Sequence, residues 1–527
     1  MMASEDKTQR NDPHETNEHE EVQTTPEEVD PTAEEPVSRW GRLMTPRIVL
    51  SIFTLLNFVT YYDRGAIAGC LVVIKGDPTI AGSSNVLTDT KAGLLFSGFM
   101  IGFMVACPLF AGLGGVVQSK WIIAVGIIAW AAALVGTGLA RSYEFLLACR
   151  IFDGVGEAAF VGFTVTVIDA IAPPESRTSW IGTFYSMIPV GTAVGMAAGG
   201  VMGAYGSVGG LEGWRVTFLS LAIAAIPILL LIVFLPKRYN MRQKRDNEYL
   251  PIHKATFHIF TNARYLLVVF GYAMYCFVIG GLSVWSIPFL VDGPMELTNM
   301  TASMIMGGTT ALTGIIGSIV GGVVVDKLGG SLGSSGTMKC QLFCVVMIAV
   351  SVPAGLAALF MEVTWLFTSL LVVSVFTLFA VTAPINSAIL TVVPWDQRAY
   401  AVSYSVLLIH LLGDFPSPTL AGYLSDNAFS RGCPAHGNNT QCGNDIDNLC
   451  KWINKTGNST DGHCVSKYQL RNALLVIFSF LGLAIPCWLA VYYILSREAS
   501  APHSNADSEG SETGGNKKTE EAEKANS

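Results

Sequence analysis

The stretch Leu147-Ala-Cys-Arg-Ile-Phe-Asp-Gly-Val-Gly-Glu-Ala-Ala-Phe160 decides how this chain is built. It lies inside an apolar run from about Tyr143 to Ala172, long enough to cross a bilayer as a helix. Arg150, Asp153 and Glu157 sit in the middle of that run. A charge at bilayer depth costs roughly 2.5–3.5 kcal/mol on insertion scales, so such groups face a protein interior or a wet cavity. At about 100° per residue, Arg150 and Glu157 fall within roughly 20° of one another, with Asp153 about 60° away. Gly154 and Gly156 thin the helix beside them. The stretch predicts one helix of a multi-helix membrane protein, with a polar strip turned inward.

The rest of the chain agrees with a membrane class. Of 527 residues, 51% are hydrophobic and only 14% charged, well below the quarter or so of a soluble protein. The 53 glycines suit close helix–helix packing in lipid. Basic residues are sparse and confined largely to loops, which argues against a nucleic-acid partner. The chain opens polar and acidic, without a cleavable signal segment, and the first membrane helix is expected to direct insertion. Residues 1–45 and 498–527 are too polar to fold alone and read as disordered tails.

Twelve spanning runs are predicted: 46–72, 91–117, 121–140, 143–172, 179–204, 214–236, 264–291, 300–326, 338–360, 363–393, 398–424 and 469–496. A charged linker, 237–262, divides them into six-helix bundles spanning 46–236 and 263–497. That linker carries Lys237, Arg238, Arg242, Lys244 and Arg245, which predicts a cytoplasmic linker and cytoplasmic tails. The predicted exterior or lumenal loop 425–467 holds Cys433, Cys442, Cys450 and Cys464 with sequons at Asn438, Asn454 and Asn458. Two disulfides are expected there, in any of three pairings; a zinc site is disfavoured because no CxxC pair is present. A fourth sequon begins at Asn299, between the seventh and eighth runs. The seven remaining cysteines read as apolar packing.

Two halves of six helices resemble the major facilitator superfamily, whose site lies at the midplane between the halves. The stretch Gly322-Val-Val-Val-Asp326-Lys327-Leu-Gly329 is similar to that superfamily's cytoplasmic signature. Asp326 there would accept hydrogen bonds from a neighbouring helix N-terminus and latch the cytoplasmic side. The equivalent place in the first half has Gln118 instead of an acid.

A narrower resemblance covers roughly residues 46–426. Asn57-Phe-Val-Thr-Tyr-Tyr-Asp63-Arg64, Arg150-Ile-Phe-Asp-Gly-Val-Gly-Glu157-Ala158, Phe184-Tyr185 with Ile188-Pro189-Val190-Gly191, and Trp214-Arg215-Val216-Thr217 carry it in the first half. Pro384-x-Asn386, Val393-Pro394, Arg398-Ala399, His410-x-x-Gly413-Asp414-x-x-Ser417-Pro418 and Gly422-x-x-Ser425-Asp426 carry it in the second. These elements resemble the Spinster family of lysophospholipid and sphingosine-1-phosphate transporters. The resemblance implies a proton-linked lipid carrier working by alternating access, with Asp63, Arg150 and Glu157 as central coupling and binding residues. It also implies a lysosomal or similarly acidic membrane, ahead of the plasma membrane.

Local chemistry adds to this. Buried carboxylates near an arginine form a proton switch that a substrate can modulate. Arg150 forks well onto phosphate and can alternatively hold Glu157 ionised. Arg64 and Asp153 join the candidate set on position alone, with Asp153 a local counter-charge of Arg150. His410 and Asp414, at i,i+4, are a candidate second-half gate or a structural pair. Asp169 and Asp426 fall near opposite membrane faces as packing or gating groups. Phe184, Tyr185, Trp285 and Phe289 are candidates for an apolar slot or for ordinary packing. No Ser-His-Asp set, metal cluster or phosphate loop stands out, so an enzyme is not expected, nor a cofactor or metal. The alternatives are a carrier of a small water-soluble organic anion or sugar and, from another class, a membrane receptor or enzyme. A monomer is expected.

Overall fold

A computed structural model describes residues 42–82, 86–113, 116–173, 177–239, 252–327, 333–394, 397–430, 450–454 and 462–500. Ten helices among these have the length and apolar character of membrane spans. In chain order, the first half comprises α1 (Pro46–Gly76), α2 (Asp89–Leu113), α3 (Ser119–Leu139), α4 (Tyr143–Ile171), α5 (Arg177–Tyr185 continuing as Met187–Ala204) and α6 (Gly213–Val233). The second comprises α7 (Ala263–Asp292), α8 (Asn299–Lys327), α9 (Gly333–Phe360), α10 (Thr364–Thr391), α11 (Arg398–Ile409 through Leu424–Ala428) and α12 (Gln469–Ser479 through Ala484–Ser500).

The two spans outside those ten are α1 and α11, for different physical reasons. Asn57, Asp63 and Arg64 interrupt the apolar surface of α1. Two π-turns, His410–Asp414 and Leu424–Ala428, interrupt α11. Pro416 and Pro418 lack the amide hydrogens a regular helix would need, and the backbone widens before them, so that Phe415 N–H donates to His410 O at 3.1 Å. Helix α5 breaks at Ser186 because Pro189 cannot donate to the carbonyl of Tyr185.

Within the first half α1 lies on α5, α2 and α3 on α4, and α6 on α3. Close approach fixes these contacts: a Cβ on Gly195 would overlap the carbonyl oxygen of Tyr62, and one on Gly154 that of Phe99. In the second half α9 packs between α10 and α12, α8 on α10, and α7 on α11. The halves meet along α2–α11, α5–α8 and α1–α7.

The segment 237–262 is not a plain linker. It contains a helix, Ile252–Thr261, seated on the second half through buried Ala255 and Ile259. Thr256 Oγ1 and Tyr404 OH share a hydrogen bond of 2.5 Å there. Helix α1 runs one turn past its expected end and brings Lys75 onto the helix. Two antiparallel hairpins decorate the side of the molecule opposite the linker: β1 (Ser207–Val208) with β2 (Leu211–Glu212), and β3 (Cys450–Asn454) with β4 (Gly462–Ser466). In the second, Cys450 pairs with Ser466 and Trp452 with Cys464 along the ladder. Cys433, Cys442, Asn438, Asn458 and Gly329 lie outside the described residues, as do 1–41 and 501–527 of the expected tails; α12 continues to Ser500, past the expected tail start at 498. Cys70, Cys107, Cys149, Cys276, Cys340, Cys344 and Cys487 are free thiols.

Candidate functional site

A cavity of about 260 Å³ lies between the halves, with walls from α1, α2, α4, α5, α7, α8, α10 and α11. Its charged lining is Asp63, Arg64, Arg150 and Asp414. The remaining wall is largely apolar, including Leu95, Phe96, Phe99, Met100, Met196, Met306 and Phe379. Phe184, Tyr185, Trp285 and Phe289 do not line it. Trp285 is fully buried and donates to the Pro418 carbonyl at 2.8 Å, while Phe289 packs on Phe367. The aromatic slot is built instead by Phe96, Phe99 and Phe379, whose ring positions depend on how the halves dock.

The polar strip of α4 is met by two consecutive residues of α1. Arg64 donates to Glu157 from both Nε, at 3.3 Å, and Nη2. Arg150 Nη1 reaches both oxygens of Asp63 at 3.4 Å and Asp153 Oδ2 at 3.2 Å. The two arginines thus share out the three acids, and the cation holding Glu157 is Arg64, not Arg150 as α4 alone suggested. The reason is reach: Arg150 and Glu157 share a face but lie two turns, about 10 Å, apart along α4. Glu157, Asp63 and Asp153 are fully buried, and Arg150 is 2% exposed, whereas the Arg64 side chain is 21% exposed toward the cavity. Arg64 lies over Tyr61 and Phe99 at 4.9 and 4.6 Å from the ring centres, and Arg150 lies 5.2 Å from that of Phe218. Aromatic faces and carboxylates together offset the loss of water around these cations. Arg150 Nη2 also donates to Thr137 on α3 at 3.2 Å, a partner with no distinguishing sequence signal.

Across the cavity, the π-turn of α11 aims His410 and Asp414 at each other. Nδ1 lies 2.9 and 3.0 Å from the two carboxylate oxygens. The His410 ring stands edge-on to Phe103 of α2, so this pair sits where the two halves touch.

On the side opposite the linker the halves are clasped. Asp426 at the end of α11 accepts from the backbone amides of Asp89 and Thr90, at 3.1 and 2.7 Å, and from Thr90 Oγ1 at 2.6 Å. An acid therefore caps a neighbouring helix N-terminus, the arrangement expected of Asp326, but at the other membrane face. Asp326 lies near the end of α8, with its side chain outside the described residues. Ser425 donates to Asp89 at 2.6 Å, and Lys75 lies between Asp89 and Asp292 at 2.5 and 3.8 Å. Deeper in, Ser97 donates to the Phe415 carbonyl at 2.5 Å. A neighbouring knot joins the first half: Arg215 donates to Asp77 at 2.9 Å, to Thr79 at 2.7 Å and to the Ala140 carbonyl. Lys75, Asp77, Asp89 and Asp292 were not singled out in the sequence, although Asp77-Pro78 carries the composition of a helix N-cap followed by proline at the first helical position.

Asn299 corrects another expectation. It begins α8, and its Nδ2 donates to Gly69 O at 3.1 Å and Gly200 O at 3.5 Å, between α1 and α5. The nitrogen that would carry a glycan is turned into the bundle.

The sequence model of the Major Facilitator Superfamily matches residues 53–418. The "probable sphingolipid transporter spinster homolog 2" of Arabidopsis thaliana is 32% identical over 415 residues, covering 72% of this chain and 81% of that protein. This chain belongs to the Spinster family. Another Spinster relative, the "sphingosine-1-phosphate transporter SPNS2" of Danio rerio, is 27% identical over 415 residues, covering 73% of this chain and 77% of its own. The crystal structure of a bacterial homolog to the human lysosomal transporter Spinster, inward-facing and unoccupied, superposes with a TM-score of 0.69 at 19% identity. It covers 87% of this chain and 99% of that one, and the shared fold is the major facilitator fold. The chain is thus a multi-pass Spinster-type transporter.

Proposed function

We propose that this transporter moves a single-chain phospholipid or sphingoid phosphate, coupled to protons, by alternating access. The observation that carries the reading is the mixed cavity: two guanidinium groups on one wall, facing otherwise apolar sides. An anionic headgroup forks onto Arg64 or Arg150, and the tail lies along Phe99, Met196 and Phe379. The names of the two relatives, a probable sphingolipid transporter and a sphingosine-1-phosphate transporter, support the same substrate class.

The contacts between the halves named above gather on the side opposite the linker, where Asp426, Asp89 and Lys75 meet. With the basic linker in the cytoplasm, the clasp of Asp426 on Asp89 and Thr90 supports reading this as an inward-facing state. Substrate approaches Arg64, the more exposed cation, and competes with Glu157 for it. Release of Glu157 invites a proton, which links headgroup binding to protonation. An acidic organelle membrane supplies the gradient, and a single chain contains the complete cavity.

The test is transport by purified protein in liposomes. Lysophosphatidylcholine and sphingosine-1-phosphate should move, faster with a proton gradient, while a sugar and a water-soluble organic anion should not. Movement of the soluble solutes alone would overturn the lipid reading.

A further inference from the structure

The charge balance of the buried cluster singles out one acid. Asp63, Asp153 and Glu157 supply three carboxylates against two guanidinium groups, Arg64 and Arg150. His410 pairs with Asp414 on α11, and as an imidazolium it balances only that acid. Cys149 is the remaining titratable group of α4 beside Asp153, and Tyr61 faces the cluster from α1. The charged residues of α2, α3 and α6 lie toward their ends: Asp89 and Lys91, Lys120, and Arg215. One negative charge therefore stands without a counter-charge in a fully buried site, and a proton neutralises it at least cost.

The hydrogen bonds say which acid takes it. Glu157 accepts two N–H bonds from Arg64, and both oxygens of Asp63 accept from Arg150. Both oxygens of Asp153 are buried without a donor; Arg150 Nη1, 3.2 Å away, approaches Oδ2 as a charge and not as an aligned hydrogen bond. The carboxyl of Asp153 also faces that of Asp63, two acceptors that a single proton would join. We infer that Asp153 is the residue holding the coupling proton in this state, as a neutral acid that donates to the Asp63 carboxylate. Loss of that proton frees Arg150 from Asp63 and loosens the tie between α1 and α4. This rests on the proton-coupled reading above, and it moves the proton store one turn away from Glu157, the acid that the headgroup displaces.

Infrared spectroscopy of the full-length protein tests the assignment without any substrate. The wild type should show the carbonyl stretch of a buried protonated carboxyl group, and Asp153→Asn should remove it. Asp153→Glu, which keeps a carboxyl in a changed position, should shift it. In liposomes Asp153→Asn should still exchange bound lipid across the membrane, with the ratio of flux at acidic and neutral pH reduced to about one. A band that survives Asp153→Asn and disappears in Glu157→Gln or Asp63→Asn overturns the assignment. Because the band is read without lipid, failure of the substrate class leaves this result standing or falling by itself.

Discussion

Arg64 of α1 closes on Glu157 of α4 with two N–H donors, while Asp63, one residue earlier, is held by Arg150 two turns away on the same partner helix. Adjacent residues on a helix point about 100° apart, so each serves a different acid–base pair. The outcome is two charge pairs of unequal exposure. Arg64 is the more exposed cation at the cavity, whereas Arg150 and Asp63 line the same cavity almost fully buried and Glu157 is fully buried.

Breaking either pair from one side should cost more than removing both partners. Arg64→Ala leaves Glu157 buried without a cation and is expected to destabilise the purified protein by on the order of 3 kcal/mol. The double variant Arg64→Ala/Glu157→Gln should regain much of that loss. Thermal unfolding in detergent of the two single variants and the double checks this. Glu157→Gln alone should hold or tighten headgroup binding, since Arg64 is released.

The clasp of Asp426 on the α2 N-terminus holds the halves together on the side opposite the linker. Charge-assisted bonds to backbone amides contribute about 1.5–3 kcal/mol each in favourable geometry. Asp426→Asn should move the population toward opening on that side by about tenfold or more. Distance measurements between spin labels near the starts of α2 and α8, on opposite sides of the clasp, would read the shift. An unchanged distance distribution would assign the clasp a packing role only.

Asp77 provides a stability contribution with a defined sign. Burial alone would raise its carboxyl, but hydrogen bonds from Thr79 and the Arg215 guanidinium hold it below the usual carboxylate range. A depressed acid stabilises the folded state fully above its unfolded value, near pH 4, and that contribution fades as pH falls through the folded value. Asp77→Asn should therefore lower thermal stability at neutral pH, and the gap to wild type should narrow in strong acid. A gap that stays constant across this range would remove the Asp77–Arg215 pair from the acid response.

Asn299 should carry no glycan. Asn299→Gln is expected to leave glycosidase-sensitive mass unchanged and to lower stability by about 1 kcal/mol, because Gly69 and Gly200 lose their donor. Substituting Asn438, Asn454 and Asn458 should remove whatever glycan the protein bears. Mass shift on a gel after glycosidase treatment checks each case.

Much of this transporter was legible in its sequence because the signals are local. A helix needs its apolar run wherever it meets lipid, so spans α2 to α10 could be placed to within a few residues. The anomaly of Arg150, Asp153 and Glu157 in such a run marked a buried charged strip without any partner being known. Linker helix Ile252–Thr261 was hidden because only a few of its residues, Ala255 and Ile259 among them, are buried, and the charged residues before it dominate the reading.

The tertiary structure alone decided how the charges are paired. Glu157 meets a cation 93 positions earlier, and Asp426 meets a helix start 336 positions away; neither separation leaves a periodic trace. The sequence by itself determined that buried charges exist and that each must find a counter-charge or a proton, because lipid offers no water. Which acid meets which arginine, and why Asp153 lacks the hydrogen-bond donor that Asp63 and Glu157 each have, was set by the packing of α1 against α4.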